Sequence, residues 1–121
     1  MRYLRIFAED DGASRFEDVE LDGTMTYIVD GVPPLLLSGP FECSEITFVK
    51  QPKDTVDWEA HVAPRKQGII VLSGRVAFTT TDGKCREVGP GEVILVEDTA
   101  GRGHLSTPLD VDFRFAMISS A

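Results

Sequence analysis

The sequence predicts a single all-β domain, and three observations lead to that prediction. Short apolar or alternating segments recur along the chain and are separated by Gly, Pro and Asp. No segment keeps a helical period of apolar residues over about eleven positions. The 121 residues fit one domain that can bury a real core. Short strands at this spacing are typical of an antiparallel sandwich or barrel.

The N-terminal half contains three segments with strand character. The turn Asp10-Asp11-Gly12 separates the first two. Between the second and the third, the apolar Leu35-Leu36-Leu37 stands between two proline-containing turns. Because proline cannot donate to a sheet ladder, these leucines are not expected in a central strand. The three predicted strands are residues 3–8, 16–21 and 46–49.

The C-terminal half is more regular. The dipeptide Asp82-Gly83 joins two β-branched or alternating segments and is a strong hairpin signal. The tripeptide Gly89-Pro90-Gly91 turns the chain again. The predicted strands of this half are residues 68–72, 75–81, 84–88, 92–97 and 110–118.

Charge and composition exclude several classes of partner. The formal net charge of −8 and the pI near 4.6 argue against nucleic acid, because a polyanion needs clustered Lys and Arg. No apolar run approaches the length of about 20 residues that spans a bilayer, and the N-terminus has no secretory pattern. Cys43 and Cys85 are far apart and lack metal or redox spacing. We therefore expect a cytoplasmic protein with reduced thiols and no membrane contact.

The alternation of side chains along the predicted strands places several polar, chemically active residues on one face. If residues 67–72 are extended, Gln67 lies on one face of its strand, and extending the alternation backwards adds His61 and Arg65. Glu97 ends the strand 92–97, and His104 follows a glycine-rich turn. An apolar lumen with a few inward polar groups is the usual form of a small-molecule pocket. The predicted pocket therefore contains His61, Gln67, Glu97 and His104.

The segment around His61 matches part of the first cupin motif, which has two histidines flanking one residue, then an acidic residue, then a glycine. His61 stands at the first histidine and Gly74 at the glycine. Ala63 takes the place of the second histidine, and Gln67 that of the acidic residue. The chain resembles the cupins here but lacks two of their side chains.

The second cupin motif is matched further along the chain. Gly83, Gly91 and His104 stand at motif positions, although His104 comes late. Gly89 replaces the motif proline and Pro108 the asparagine that follows the histidine. The segments H-x-A-P-R-x-Q and E-D-T-x-G-x-G-H are similar to those of a small, mostly uncharacterised subgroup of single-domain cupins.

That resemblance implies a cupin-type double-stranded β-helix, a jelly-roll barrel, formed as one domain over residues 1–121. Residues 57–118 carry the two motifs, and the N-terminal strands within residues 1–50 pack on the barrel or swap across it. Small cupins usually pair through such strands, so a homodimer is expected. The leucines 35–37 are a candidate contact and equally a candidate cap for one end of the barrel.

The resemblance also implies a divalent metal held by His61, Gln67 and His104. Imidazole suits Fe, Mn, Ni and Zn, whereas a glutamine oxygen is a weak, neutral donor. The expected metal site therefore has fewer and weaker ligands than a complete cupin site. A metal-free pocket lined by the two histidines is the alternative.

Acid–base chemistry is open to the metal-free pocket, with His61, His104 and Glu97 as candidate catalytic residues. Arg65 is a candidate clamp for a substrate carboxylate or phosphate, or else a surface ion pair. Trp58 and Phe78 are candidate substrate contacts, or else core aromatics.

Three classes of function follow for a small-molecule ligand. A metal-centred oxygenase, isomerase or lyase is ranked first. A metal-independent lyase or isomerase comes next, followed by a non-catalytic binding or sensor protein.

Overall fold

The computed structural model describes residues 1–54 and 59–120, and every regular element among them is a β-strand. The predicted all-β class is confirmed. In chain order the strands are β1 (Arg2–Ala8), β2 (Ser14–Glu20), β3 (Thr24–Thr26), β4 (Leu35–Leu37), β5 (Glu45–Gln51), β6 (Gln67–Ser73), β7 (Val76–Thr79), β8 (Cys85–Val88), β9 (Val93–Val96), β10 (Leu105–Pro108) and β11 (Phe113–Ser119).

None of the described residues belongs to a helix with the length and hydrophobicity to cross a bilayer.

The strands form one large sheet, one small sheet and a separate two-stranded arm. The large sheet has the order β2-β1-β9-β6-β11-β5, the small sheet β10-β7-β8, and the arm β3-β4. All pairs are antiparallel except β1 with β9, which run parallel. The N-terminal residues thus supply β1, β2 and β5 to the large sheet itself.

The core lies between the large and the small sheet. Alternate residues of β1 and β9 point into it, and Ile6 and Ile94 are fully buried. The small sheet contributes Val76, Phe78 and Val88 from the other side. Burial of apolar surface at about 25 cal/mol per Å² holds the two layers together. The face of the large sheet that is turned away from this core is called the outer face below.

The jelly-roll arrangement is open rather than closed into a barrel. Within residues 1–54 and 59–120, the edge strands β2 and β5 make no ladder with the small sheet, so the two layers form an open jelly-roll-like sandwich. The strands of the small sheet are four residues long and end in tight turns such as Gly89-Pro90-Gly91. They are too short to continue hydrogen bonding around the edge of the domain.

The sequence did not predict three of the strands, β3, β4 and β10. β3 has only three residues and pairs with the leucines of β4. β10 contains Ser106 and Thr107 and ends at Pro108, a composition that resembles a loop. It pairs with β7 as an edge strand, where a terminal proline is tolerated.

A bidentate ion pair joins the edges of the two layers. The Arg86 guanidinium on β8 donates from Nη2 to Asp18 Oδ1 on β2 at 2.9 Å and from Nη1 to Oδ2 at 3.2 Å. These hydrogen bonds lower the pKa of the Asp18 carboxyl from its ordinary 3.8. A lowered pKa in the folded state contributes stability above the unfolded pKa, and this contribution is lost as the pH falls through the folded value.

We therefore expect Asp18→Asn to be less stable than the native chain at pH 7, and the gap to close as the pH falls below 3.8. Urea unfolding of both proteins between pH 7 and pH 2 measures the gap. A gap of constant size over this range would contradict the linkage.

Candidate functional site

The two histidines meet in an isolated antiparallel bridge at one end of the sandwich. The His61 amide donates to the His104 carbonyl at 3.1 Å, and the His104 amide donates to the His61 carbonyl at 3.0 Å. Their rings lie 5.3 Å apart between centroids and are tilted by 52°. His61 is exposed, whereas His104 is 5% exposed. The structure thus brings together the two imidazoles that the sequence placed in one pocket.

Glycines make this close approach possible. Gly103 has a φ of +76°, and a Cβ built on it would lie 2.6 Å from the Val62 nitrogen and closer still to the His61 carbonyl group. The Gly103 carbonyl accepts a hydrogen bond from Ser14 Oγ at 2.7 Å. The Arg102 amide donates to Gly12 at 2.8 Å. The turn that precedes His104 is therefore fixed against the β1–β2 connection.

Asp98 is the buried partner of His104. Its Oδ2 lies 2.6 Å from His104 Nδ1, and its side chain is fully buried. Its backbone carbonyl accepts the Ala63 amide at 3.0 Å. Since a carboxylate only accepts hydrogen bonds, Nδ1 carries the proton and Nε2 of the ring is left as a base. This is the arrangement that orients histidine bases in many hydrolases.

The second oxygen of the same carboxylate has no hydrogen-bond partner. Asp98 Oδ1 is the buried side-chain polar atom of the described residues that lacks one. An unsatisfied buried acceptor costs about 1–3 kcal/mol. Such groups are rare in folded proteins, and a catalytic role or a bound water is among the usual reasons for them.

A contact of the His61 ring with the backbone bears on the tautomer of this histidine. Its Nδ1 lies 3.3 Å from the Val62 carbonyl oxygen. A carbonyl oxygen only accepts, so this contact is a hydrogen bond when Nδ1 carries the proton. The His61 ring is exposed, whereas the His104 ring is buried.

The three predicted substrate contacts lie in different surroundings. Phe78 is buried in the core and packs edge-on against His104, with centroids 5.9 Å apart. Arg65 donates to Glu45 at 2.9 Å in an exposed ion pair, which agrees with the alternative for this residue. Trp58 lies outside the described residues.

The inward orientation expected of Glu97 is wrong. Its carboxylate faces the outer side, where it accepts a hydrogen bond from Arg5 Nε at 2.5 Å and lies 3.9 Å from Lys66 Nζ. Ile94 and Val96 point into the core, so alternation carries Asp98 inward and Glu97 outward. The carboxylate that lies beside the histidines is therefore Asp98, the residue that follows the predicted Glu97.

The residues present do not fit the metal centre that the resemblance implies. The described residues contain no group of three His, Cys, Asp or Glu side chains with the geometry to hold an ion. Ala63, at the place of the second motif histidine, is buried in the core. Gln67 is half-buried at the start of β6 and offers a neutral oxygen. Two imidazoles, one already bonded to Asp98, are a weak donor set.

A well-formed groove lies away from the histidines. It has a volume of about 480 Å³ and opens on the outer face, between β1, β9, β6 and β11 and the segment that leads into β5. Its wall is mostly apolar, with Gln67, Lys66 and Glu97 at one end. The histidine pair with Asp98 and the apolar groove therefore lie on opposite sides of the large sheet. We take the histidines as the candidate site, because there a buried carboxylate orients the His104 imidazole.

No protein-family model matches the chain, and no curated protein matches it. The cupin resemblance therefore stays a prediction.

Proposed function

We propose that this protein is a small-molecule enzyme that transfers protons at the His61–His104 pair, as a metal-independent isomerase or lyase. The observation that supports it most is the 2.6 Å hydrogen bond between buried Asp98 and His104 Nδ1. That bond fixes the tautomer and gives the imidazolium a counter-charge when His104 accepts a proton.

The proposed reaction begins with a carbon acid, a C–H bond next to a carbonyl or carboxyl group. His104 Nε2 takes the proton, the C–H electron pair moves into an enolate, and Asp98 stabilises the imidazolium. In isomerisation the proton then returns to a neighbouring carbon. In elimination the enolate electron pair forms a C=C bond, the bond between the β-carbon and its leaving group breaks, and the departing group takes the proton. His61, exposed beside His104, is the second group that holds or returns the proton.

Exchange with D₂O tests this reaction without knowledge of the product. A panel of small keto acids, hydroxy acids and sugars is incubated in D₂O and followed by proton NMR. We expect the native protein to exchange the acidic C–H of at least one compound. His104→Gln is expected to slow that exchange by about 100-fold or more, because general-base catalysis is worth about 10²–10⁴. Asp98→Asn is expected to slow it as well.

The matched control is Asp110→Asn, which makes the same chemical change at an exposed position and should leave exchange unchanged. Glu97→Gln separates the two candidate carboxylates, since it abolishes exchange only if the acid predicted from the sequence is the one in use. Equal exchange by the native protein and His104→Gln would overturn the proposal.

The metal-centred enzyme is the competing hypothesis from the resemblance. The same exchange is repeated in chelator, and metal content is measured on protein purified without an affinity tag. Activity lost in chelator, with metal content lost in both His61→Ala and His104→Ala, would favour it. A compound that raises the melting temperature but is recovered unchanged would favour the binding or sensor protein.

We also propose that the chain works in the cytoplasm. Cys43 and Cys85 are both exposed and free, which suits a compartment that keeps thiols reduced.

A further inference from the structure

The groove on the outer face of the large sheet has the size and the lining of a small-molecule site. Its volume is about 480 Å³, and ligand sites in proteins usually enclose about 300–1,000 Å³ with a mostly apolar lining. The floor is apolar and half-buried, and it is formed by Ile70, Val93, Leu95 and Ile118. Residues 41–43, which lead into β5, line the groove as well. The groove is therefore a partly enclosed hollow in this face.

A glycine inside a strand deepens the floor. Gly68 pairs with Leu95 on one side and with Ile118 on the other, so its missing side chain leaves a gap between two apolar neighbours. A Cβ built on Gly68 would lie 3.6 Å from the nearest atom outside the adjacent residues, which is an ordinary contact distance. The fold thus has room for a larger residue at this position.

The usual structural reasons for a glycine inside a strand do not apply to Gly68. Its φ is not positive, so its backbone conformation suits other residues. Its pairing with β9 and β11 is continuous, which excludes a bulge at this point. The Ile118 carbonyl oxygen would be 3.9 Å from the added Cβ, so the neighbouring backbone does not crowd it. A glycine inside a strand also marks a place where a ligand approaches the backbone, and this reason fits a glycine in the floor of a cavity.

The charged groups at one end of the groove compensate each other. Glu97 accepts a hydrogen bond from Arg5 Nε at 2.5 Å, and its other oxygen lies 3.9 Å from Lys66 Nζ. Arg5 Nη1 is in turn 3.5 Å from Glu17. Glu42, in the segment that leads into β5, is exposed and so stays solvated. Because these charges are already paired or solvated, a charged ligand would lose its hydration without a compensating partner. The groove therefore suits an uncharged ligand.

We propose that this groove is a second binding site, which takes an uncharged, mostly apolar small molecule with a flat ring system, seated over Gly68. Tyr3 and Phe41 line the groove, and aromatic side chains stack favourably on flat rings. The site is separate from the proposed proton transfer, because the histidine pair and Asp98 lie on the other side of the large sheet.

Two dyes that share one ring system test the proposal on the native chain. Phenylnaphthylamine is uncharged, anilinonaphthalene sulfonate has the same rings with one sulfonate added, and both fluoresce more strongly in an apolar site. Titration of the protein into each dye gives the two Kd values. We expect a Kd of about 100 µM or below for the neutral dye, and binding of the sulfonate that is weaker by about tenfold or more. Equal or tighter binding of the sulfonate would overturn the proposal.

Gly68→Leu fills the gap in the floor without a change of charge. We expect it to raise the Kd of the neutral dye by about tenfold or more and to keep the native melting temperature or exceed it, because the backbone accommodates a side chain there. The matched control is Ala77→Leu on β7. Its neighbours Val76 and Phe78 point into the core, so Ala77 faces away from it, and dye binding should match that of the native chain. His104→Gln should also bind the dye like the native chain, which separates this site from the proposed reaction.

Thiol labelling locates the bound dye on the native chain. Cys43 lines the groove, whereas Cys85 lies on β8 of the small sheet, and both are exposed. We expect saturating neutral dye to slow the reaction of Cys43 with a maleimide several-fold and to leave that of Cys85 unchanged. An equal effect on the two thiols, or unchanged dye affinity in Gly68→Leu, would overturn the proposal. So would a native protein that binds neither dye and shows twice the chain mass in light scattering, since a second chain would then occupy the groove.

Discussion

Replacement of Gly103 by alanine is expected to lower the free energy of unfolding by about 3 kcal/mol or more. Two effects add at this position. An alanine is strained at a φ of +76°, and its Cβ would overlap the backbone of His61 and Val62. These atoms cannot move aside without breaking the pair of hydrogen bonds between His61 and His104. Urea unfolding followed by circular dichroism measures the loss.

Gly83→Ala is the matched control for this substitution. Gly83 has a similar φ of +81°, but a Cβ there would meet nothing within 4 Å. Its cost is therefore the conformational one alone, about 1–2 kcal/mol. If the two variants lose the same stability, the close packing of Gly103 on the histidine bridge contributes nothing, and the bridge is not the tight element described above.

Replacement of Asp98 by alanine is expected to cost about 1–3 kcal/mol, because it leaves the Nδ1–H of buried His104 without its acceptor. Asp98→Asn should cost less, since an amide oxygen still accepts from Nδ1. The exposed Asp110→Ala should change stability by about 0.5 kcal/mol at most. Urea unfolding at pH 7 ranks the three variants.

A double-mutant cycle with His104→Gln assigns this cost to the pair. Contacting residues couple by about 0.5–3 kcal/mol, so the double variant should lose clearly less than the sum of the single variants. Additive losses would mean that Asp98 and His104 stabilise the fold separately. The hydrogen bond would then be an unsound basis for the proposed function.

Local sequence signals predicted much of the fold. The hairpin at Asp82-Gly83 is confirmed between β7 and β8, with the Thr80 amide bonded to the Lys84 carbonyl at 3.0 Å. The continuous apolar run after Gln67 is β6. The pairing of the large sheet was out of reach, because nothing local to β1 indicates that its partners include β9, about ninety residues along the chain.

The sequence predicted the candidate site only in part, and the error in that prediction has a physical cause. Both histidines were located, but the carboxylate chosen was Glu97 rather than Asp98. All four residues of β9 are apolar, so alternation gives no sign of which face is inward. The six-residue span from Asp98 to His104, folded back by a glycine turn, was the usable signal.

The parallel pair of β1 and β9 has a consequence for synthesis of the chain. β9 lies between β1 and β6, so the middle of the large sheet is made of residues that leave the ribosome late. The edge of β1 that pairs with β9 has no partner until residue 96 has been synthesised. Open edges of this kind template aggregation. We therefore expect the yield of natively folded protein to depend on the rate of translation and on any chaperone that shields this edge.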